Sequence, residues 1–209
     1  HGDETEINGQ GPVITEEAIN ELFAKLATLT KEDILVLAGS IPNTLPEDIY
    51  EKILARLESK GIRVVVDATK DLLLNVLKYH PFLIKPNNHE LGEIFGVELK
   101  DRQSVIPYGK KLQEMGAVNV LVSMAGDGAV LLDELGMVHR CPVCKGTVQN
   151  SVGAGDSMVA GFLYGYLKSG IYEDAFYYGV CTGSASAFSE NLATREEVDT
   201  LLRNIKNRA

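Results

Sequence analysis

Short unbroken apolar runs alternate along this chain with segments of helical period, and no other feature restricts the fold as much. Ile34-Leu35-Val36-Leu37-Ala38 is too short for a buried helix and lacks polar alternation, so it predicts a strand buried on both faces of a parallel sheet. Arg63–Asp67, Phe82–Ile84 and Val118–Ser123 predict further strands. Between them lie helical patterns. Glu16–Leu29 repeats Ile19, Leu22, Phe23 and Leu26 on one face, with Thr15 placed to cap it. Pro46 precedes a helix carrying Ile49, Ile53, Leu54 and Leu57, which Gly61 ends. Asp71–Lys78, His89–Phe95 and Gln103–Met115 complete the alternation.

After Ser123 the pattern changes. Gly128–Asp133 and Met137–Arg140 predict a hairpin joined by Glu134-Leu135-Gly136. A glycine-rich turn at Gly153-Ala154-Gly155 then opens a helix with an apolar stripe of Met158, Val159, Phe162, Leu163, Tyr166 and Leu167. Helices over Tyr172–Phe188 and Arg195–Lys206 follow, the last with a Thr194–Glu197 capping box. No repeat or linker interrupts the 209 residues, so the expectation is one α/β domain: a doubly wound, mainly parallel sheet with helices on both faces.

Composition narrows the function classes. A net charge of −9 argues against a nucleic-acid partner, which would call for a basic stripe. No apolar run approaches the about 18 residues of a membrane span. Three cysteines (Cys141, Cys144, Cys181) do not make a disulfide framework, and Cys141-Pro142-Val143-Cys144 has no second pair for zinc. Reduced thiols and a cytoplasmic location are expected. The four histidines lack metal spacing. The chain starts His1-Gly2-Asp3-Glu4 without Met, which suggests a fragment or a processed chain.

Ligands of such sheets sit at the carboxyl ends of the strands, and four loops there could carry chemistry. Neither a G-x-x-x-x-G-K-[ST] nor a G-x-G-x-x-G motif is present, nor is a G-x-S-x-G elbow. In Ser151-Val152-Gly153-Ala154-Gly155-Asp156-Ser157, two glycines bring the backbone close to a ligand. The helix start that follows offers N–H groups and a dipole to an anion. Asp156 at its edge could take a proton from a substrate hydroxyl, or could simply favour the helix start. Ser123-Met124-Ala125-Gly126-Asp127-Gly128 could wrap phosphates or ribose, or form an ordinary Asp-Gly turn. Lys85-Pro86-Asn87-Asn88-His89-Glu90 contains N-x-x-E. That pattern suits a hydrated Mg²⁺ beside phosphates, and equally a helix N-cap box. Gly39-Ser40-Ile41-Pro42 could hydrogen-bond a substrate oxygen, or be a plain connection.

Taken in this order on one α/β chain, the four motifs resemble the ribokinase-like (PfkB) carbohydrate kinases over nearly all 209 residues. Thr5-Glu6-Ile7-Asn8-Gly9 resembles the hexose-phosphate branch. The resemblance implies a ribokinase-like fold. It also implies an ATP- and Mg²⁺-dependent phosphotransferase acting on a sugar phosphate. Fructose 1-phosphate, giving fructose 1,6-bisphosphate, is the first expectation and tagatose 6-phosphate the alternative acceptor. Asp156 would be the catalytic base, and Gly153, Ala154 and Gly155 the anion-hole amides. Ser123, Met124, Ala125, Gly126, Asp127 and Gly128, with Gly155, Asp156, Lys85 and Asn87, would form the ATP site. Ser40 and Asp156 would touch the sugar phosphate, and Asn87 and Glu90 would organise Mg²⁺ through water. Gly183-Ser184-Ala185 would wall the adenine pocket. Family members usually carry roughly a hundred further residues at the N-terminus. The expectation is therefore a chain without the first strands and most of the β-lid, residues 1–12 being a remnant of that lid or crossover. Such a chain could bind nucleotide and lack turnover until the rest is restored. Intact members suggest a homodimer paired through the lid. A non-kinase α/β protein with similar loops is the remaining reading.

Overall fold

The structure, a computed structural model, describes residues 12–42 and 44–206. Of the expected lid remnant, residues 1–11 lie outside the described residues, as do His1 and Thr5–Gly9. Six strands form one sheet in sequential order: β1 (Ile34–Ala38), β2 (Arg63–Asp67), β3 (Leu83–Ile84), β4 (Asn119–Ser123), β5 (Ala129–Leu132) and β6 (Val138–Cys141). β1 to β4 are mutually parallel, and β5 and β6 join antiparallel as the expected hairpin.

The period-two side-chain alternation of a strand divides the core in two. Val64, Val66, Ile84, Val120, Val122, Val130 and Leu132 face one way. They pack against α1 (Glu16–Ala27), α2 (Ile49–Leu57), α3 (Lys70–Val76), α4 (Asn88–Phe95) and α5 (Ile106–Glu114). Val65, Leu83, Leu121, Ala129 and Leu131 face the other way. There they meet α6 (Ala154–Ser169), α7 (Tyr172–Phe188) and α8 (Arg195–Lys206). The sheet is thus mainly parallel with helices on both faces.

Helix ends follow local chemistry. Thr15 accepts from the Ala18 N–H at 3.3 Å, Gly61 takes the left-handed conformation after α2, and Glu197 accepts from the Thr194 N–H at 2.7 Å. Two histidines pack with partners, His139 meeting Asp133 at 2.7 Å and His80 meeting Gly116 O at 3.0 Å, and His89 is exposed. None of the three cysteines is in a disulfide.

Two expectations need correction. β1 is not buried on both faces: it is an edge strand, and Val36 is 41% exposed. The apolar stripe of α6 does not extend to Leu167, which is 68% exposed. The face of α6 toward α7 is built from small residues instead. A methyl at Gly161 would lie 2.6 Å from Tyr178 O, and one at Gly165 would lie 2.7 Å from Ala175 Cα. From the other side, Gly179 and Gly183 approach Met158 O and Ala154 O to within 3.0 and 2.9 Å of where a methyl would stand. The two helices therefore touch backbone to backbone.

Candidate active site

Parallel strands end on the same edge of a sheet, so the loops after β1 to β4 converge. Lateral backbone bonds fix their spacing: Gly39 N to Asp67 O (3.1 Å), Lys85 N to Val66 O (3.3 Å) and Ser123 N to Pro86 O (3.1 Å). An isolated parallel bridge joins Asn87 to Ser123. Strands β1 to β4 thus present Ser40, Asp67, Lys85 with Asn87, and Ser123 along one edge.

Asn87 caps α4, and the capping box forms. The Asn87 side chain accepts from Glu90 N–H and the Glu90 carboxylate accepts from Asn87 N–H, both at 2.8 Å. The box uses one oxygen of Glu90 and leaves the other outside it. The local-capping reading of N-x-x-E is therefore realised, with both side chains held at the edge where phosphates would lie.

α6 starts differently. Its N-cap is Gly153 at φ 77°, a conformation that suits glycine, and no side chain caps the helix. Asp156 sits in the first turn and is exposed, so its carboxylate does not serve as a cap. Ala154 N–H already donates to Ser151 O at 3.1 Å. The N–H groups of Gly155 and Asp156 have no acceptor within the helix at this position.

Lys85 is 7% exposed, and its ammonium pairs with Asp67 at 3.0 Å. A methyl at Gly155 would stand 3.2 Å from Lys85 Nζ, so glycine lets the helix start close over this cation. Burial pushes the Asp67 carboxyl above the ordinary range; Lys85 opposes the shift, and Asp156 and Glu90 add to it. Asp67, Lys85, Glu90 and Asp156 thus form one electrostatic cluster. Tyr50 belongs at its margin: its hydroxyl donates to Ala38 O (2.9 Å) and lies 3.3 Å from Gly39 O, pinning the loop that carries Ser40. Burial and the Asp67 charge raise the Tyr50 hydroxyl's pKa.

A cleft of about 490 Å³ opens on the other side of the α6 start. Asn87, Ser123, Met124, Ala125, Gly126, Asp127 and Gly128 line one wall, and Ala154, Gly155, Met158, Val180, Gly183 and Ser184 the other. This size suits a mononucleotide-sized ligand. Two features of the glycine loop stand out. Ala125 is held at φ 43°, a strained conformation for a residue with a side chain. At Gly128 a methyl would fall 2.0 Å from Cys141 O.

The structure brings together most of the residues singled out in the sequence. Ser123–Gly128, Asn87 and Gly155 share the cleft, as do Gly183 and Ser184, whereas Ala185 packs in the core behind them. Asp156 and Lys85 lie beside the cleft rather than on its lining. Ser40 stands apart from the cleft, exposed beyond β1 on the Asp67 side. Gly155 at the start of α6 thus lines the cleft on one side and closes over Lys85, which pairs with Asp67 at the end of β2, on the other. Sequence reasoning missed Asp67 and Tyr50. The available signal was an acid closing a buried run, Val64-Val65-Val66-Asp67, at the same edge as the other motifs.

A Mg²⁺ ion would find no cage of three or more acidic, histidine or cysteine ligands among the described residues. The residues fit such an ion all the same. The negative charge gathered around Asp67, Glu90 and Asp156 suits a cation held by one or two carboxylates, phosphate oxygens and water.

Comparison with known proteins bears on this arrangement. A family model described as pfkB family carbohydrate kinase matches residues 1–198. The chain is 52% identical over 205 residues to 1-phosphofructokinase of Bacillus subtilis, covering 98% of this chain and 67% of that protein. It is 32% identical to D-tagatose-1-phosphate kinase of Bacillus licheniformis, covering 94% of this chain and 64% of that one. Among solved structures, a provisionally named phosphofructokinase of Staphylococcus aureus superposes with a TM-score of 0.88 at 40% identity, covering 97% and 66% of the two chains. Escherichia coli phosphofructokinase-2 in complex with substrates and products gives 0.84 at 25% identity, covering 93% and 64%. The chain thus spans about two thirds of the length of its relatives. Together with the glycine-started α6 and the loops gathered beside it, this match places the chain in the pfkB family of carbohydrate kinases.

Proposed function

We propose that this chain carries the nucleotide-binding and phosphoryl-transfer half of a sugar-phosphate kinase. Its acceptor would be fructose 1-phosphate, with ATP as donor and fructose 1,6-bisphosphate as product. One observation carries the reading: the uncapped start of α6 stands between a cleft of about 490 Å³ and the Ser40–Asp67 side, with Lys85 buried beneath it. A γ-phosphoryl group at that helix start would have nucleotide on one side and acceptor on the other, as in-line displacement demands. The exposed Asp156 carboxylate would take the proton of the attacking hydroxyl. Gly155 and Asp156 N–H groups would neutralise the charge that develops on the transferred phosphoryl oxygens, and the Lys85 ammonium would add to their field. Asn87 and Glu90 would hold Mg²⁺ through water, and the ion would supply charge neutralisation between the phosphates. The cleft lined by Gly126, Gly128 and Gly183 would take the nucleotide, and Ser40 would meet the acceptor phosphate.

The choice of acceptor rests on the 52% identity to the Bacillus subtilis enzyme. The tagatose kinase among the relatives is named for the 1-phosphate, so tagatose 1-phosphate joins tagatose 6-phosphate as the comparison to make. A second reading, nucleotide binding without turnover by these 209 residues, draws on the two-thirds coverage of the relatives and on the exposed β1 edge. A cytoplasmic location and a homodimer of the intact protein go with the kinase reading. No helix among the described residues is long and apolar enough to cross a membrane.

The test pairs calorimetry of a non-hydrolysable ATP analogue with a coupled assay over fructose 1-phosphate, fructose 6-phosphate and both tagatose phosphates. Asp156→Asn should retain nucleotide affinity and lose turnover by about a thousandfold. Turnover at the wild-type rate would remove the assigned role of Asp156. Nucleotide binding with no turnover on any acceptor would select the second reading, and no binding at all would overturn both.

A further inference from the structure

Two thiols from distant parts of the chain meet behind the cleft. Cys144 lies in the loop after β6 and Cys181 in the middle of α7, and the Cys144 thiol contacts Cys181 Sγ at 3.9 Å. Both are nearly or fully buried, at 5% and 0% exposure. Cys144 nevertheless borders a second pocket, about 270 Å³, which it lines with Arg140, Cys141, Lys145, Tyr177 and Asn204. Small polar molecules can enter a pocket of that size and so reach Cys144.

We propose that Cys144 and Cys181 form a reversible disulfide on exposure to hydrogen peroxide, and that this bond alters the nucleotide cleft. The chemistry balances in two steps. Cys144 thiolate attacks one peroxide oxygen, the O–O bond breaks, and Cys144 sulfenic acid forms as the other oxygen leaves as water after protonation. Cys181 sulfur then attacks the Cys144 sulfur, the S–O bond breaks, and hydroxide leaves to combine with the Cys181 proton as a second water. Two thiols are oxidised to one disulfide and one peroxide is reduced to two waters.

Closing the pair from 3.9 Å to a bond of about 2.05 Å requires roughly 1.9 Å of approach. Cys181 is anchored in α7, so the Cys144 loop must supply that movement. Its neighbour Val143 lines the cleft, as do Val180 and Gly183 beside Cys181. Tying the loop to α7 therefore shifts one cleft wall. Cys141 is the alternative partner by spacing, but burial and the neighbouring Cys144 push its thiol up to about 12. Its thiol instead donates to Pro142 O at 3.3 Å.

The expected effect on affinity rests on the nucleotide reading above; the cross-link does not. The chain is treated with hydrogen peroxide, alkylated and mapped by mass spectrometry without reduction. A Cys144–Cys181 peptide, about 2 Da lighter than its reduced parts, is expected, and dithiothreitol should abolish it. Absence of that peptide, or a Cys141–Cys144 peptide in its place, overturns the proposal. Calorimetry of the ATP analogue should show affinity weakened at least about threefold on oxidation. Reduction should restore it, and Cys144→Ser should not respond. An oxidised protein with unchanged affinity overturns the coupling, whereas reduced protein that never binds nucleotide fails the functional reading and leaves the mapping result standing.

Discussion

Replacing Lys85 by Met probes the edge of the sheet where the motifs converge. The Lys85 side chain is 8% exposed and that of Asp67 18%, with 3.0 Å between ammonium and carboxylate. Methionine keeps most of the apolar stem and removes only the charge. Asp67 is then left largely desolvated, with Asp156 and Glu90 both disfavouring its ionised form. Removing one partner of a buried pair costs about 3–5 kcal/mol, and the residual exposure of Asp67 places this case near 3. With a urea m-value of about 2.5 kcal/mol per molar, the unfolding midpoint should fall by about 1 M. The sign of the pH dependence is fixed as well. Asp67 already titrates above its ordinary range, and losing Lys85 raises it further. A carboxyl raised in the folded state opposes folding above that pKa and ceases to do so below its unfolded value. The deficit of Lys85→Met should therefore be largest near pH 7.5 and shrink toward about pH 4, as folded Asp67 takes up its proton. Adding Asp67→Asn should recover most of it, because the uncompensated charge is gone. Urea unfolding followed by far-UV circular dichroism at both pH values, on wild type, both single variants and the double, decides the matter. A deficit below about 1 kcal/mol, a deficit independent of pH, or no recovery in the double variant would refute the argument.

Two further substitutions test other parts of the structure. Gly161→Ala places a methyl 2.3 Å from Thr182 Oγ1 and 2.6 Å from Tyr178 O; it should lower stability by about 2 kcal/mol and the melting temperature by about 6 °C, and an unchanged melt would count against the close α6–α7 contact. Glu90→Gln keeps an acceptor for the Asn87 N–H and removes a charge, so stability should change by less than about 0.5 kcal/mol while the Mg²⁺ needed for half-maximal turnover rises about tenfold. A large stability loss with no change in metal dependence would reduce Glu90 to a helix cap.

Much of this fold is legible in the sequence, and the exceptions have physical reasons. Arg63–Asp67 and Tyr172–Phe188 can be read from local pattern because hydrophobic periodicity and end signals are local properties. The position of β1 at the sheet edge is not local: an apolar run does not record what lies beside it, so Ile34–Ala38 reads as doubly buried while Val36 is half exposed. The α6–α7 contact is hidden for a related reason. Gly161 and Gly165 look like gaps in a helical stripe, although their lack of side chains is what the contact uses. In the candidate site, the glycine loops announce themselves through composition. The Asp67–Lys85 pair does not, because the two residues meet only after a crossover sets β2 beside β3. The N-x-x-E pattern was ambiguous in the sequence, and the structure forms the cap without moving either side chain from the proposed phosphate edge.

The close approach of α6 and α7 at their glycines has a mechanical consequence. α6 begins at the anion hole, and α7 forms a wall of the nucleotide cleft. Long side chains between two helices act as a compliant layer that can change rotamer and let the helices slide. Here Gly161, Gly165, Gly179 and Gly183 thin that layer until a methyl would meet main-chain atoms of the other helix, so little room is left for sliding. The helix start and the cleft wall therefore travel as one rigid body. Under the proposed kinase reading, a nucleotide in the cleft would be registered against the start of α6 by the chassis itself, and opening or closing of the site would hinge elsewhere, in the loops after β1 and β6.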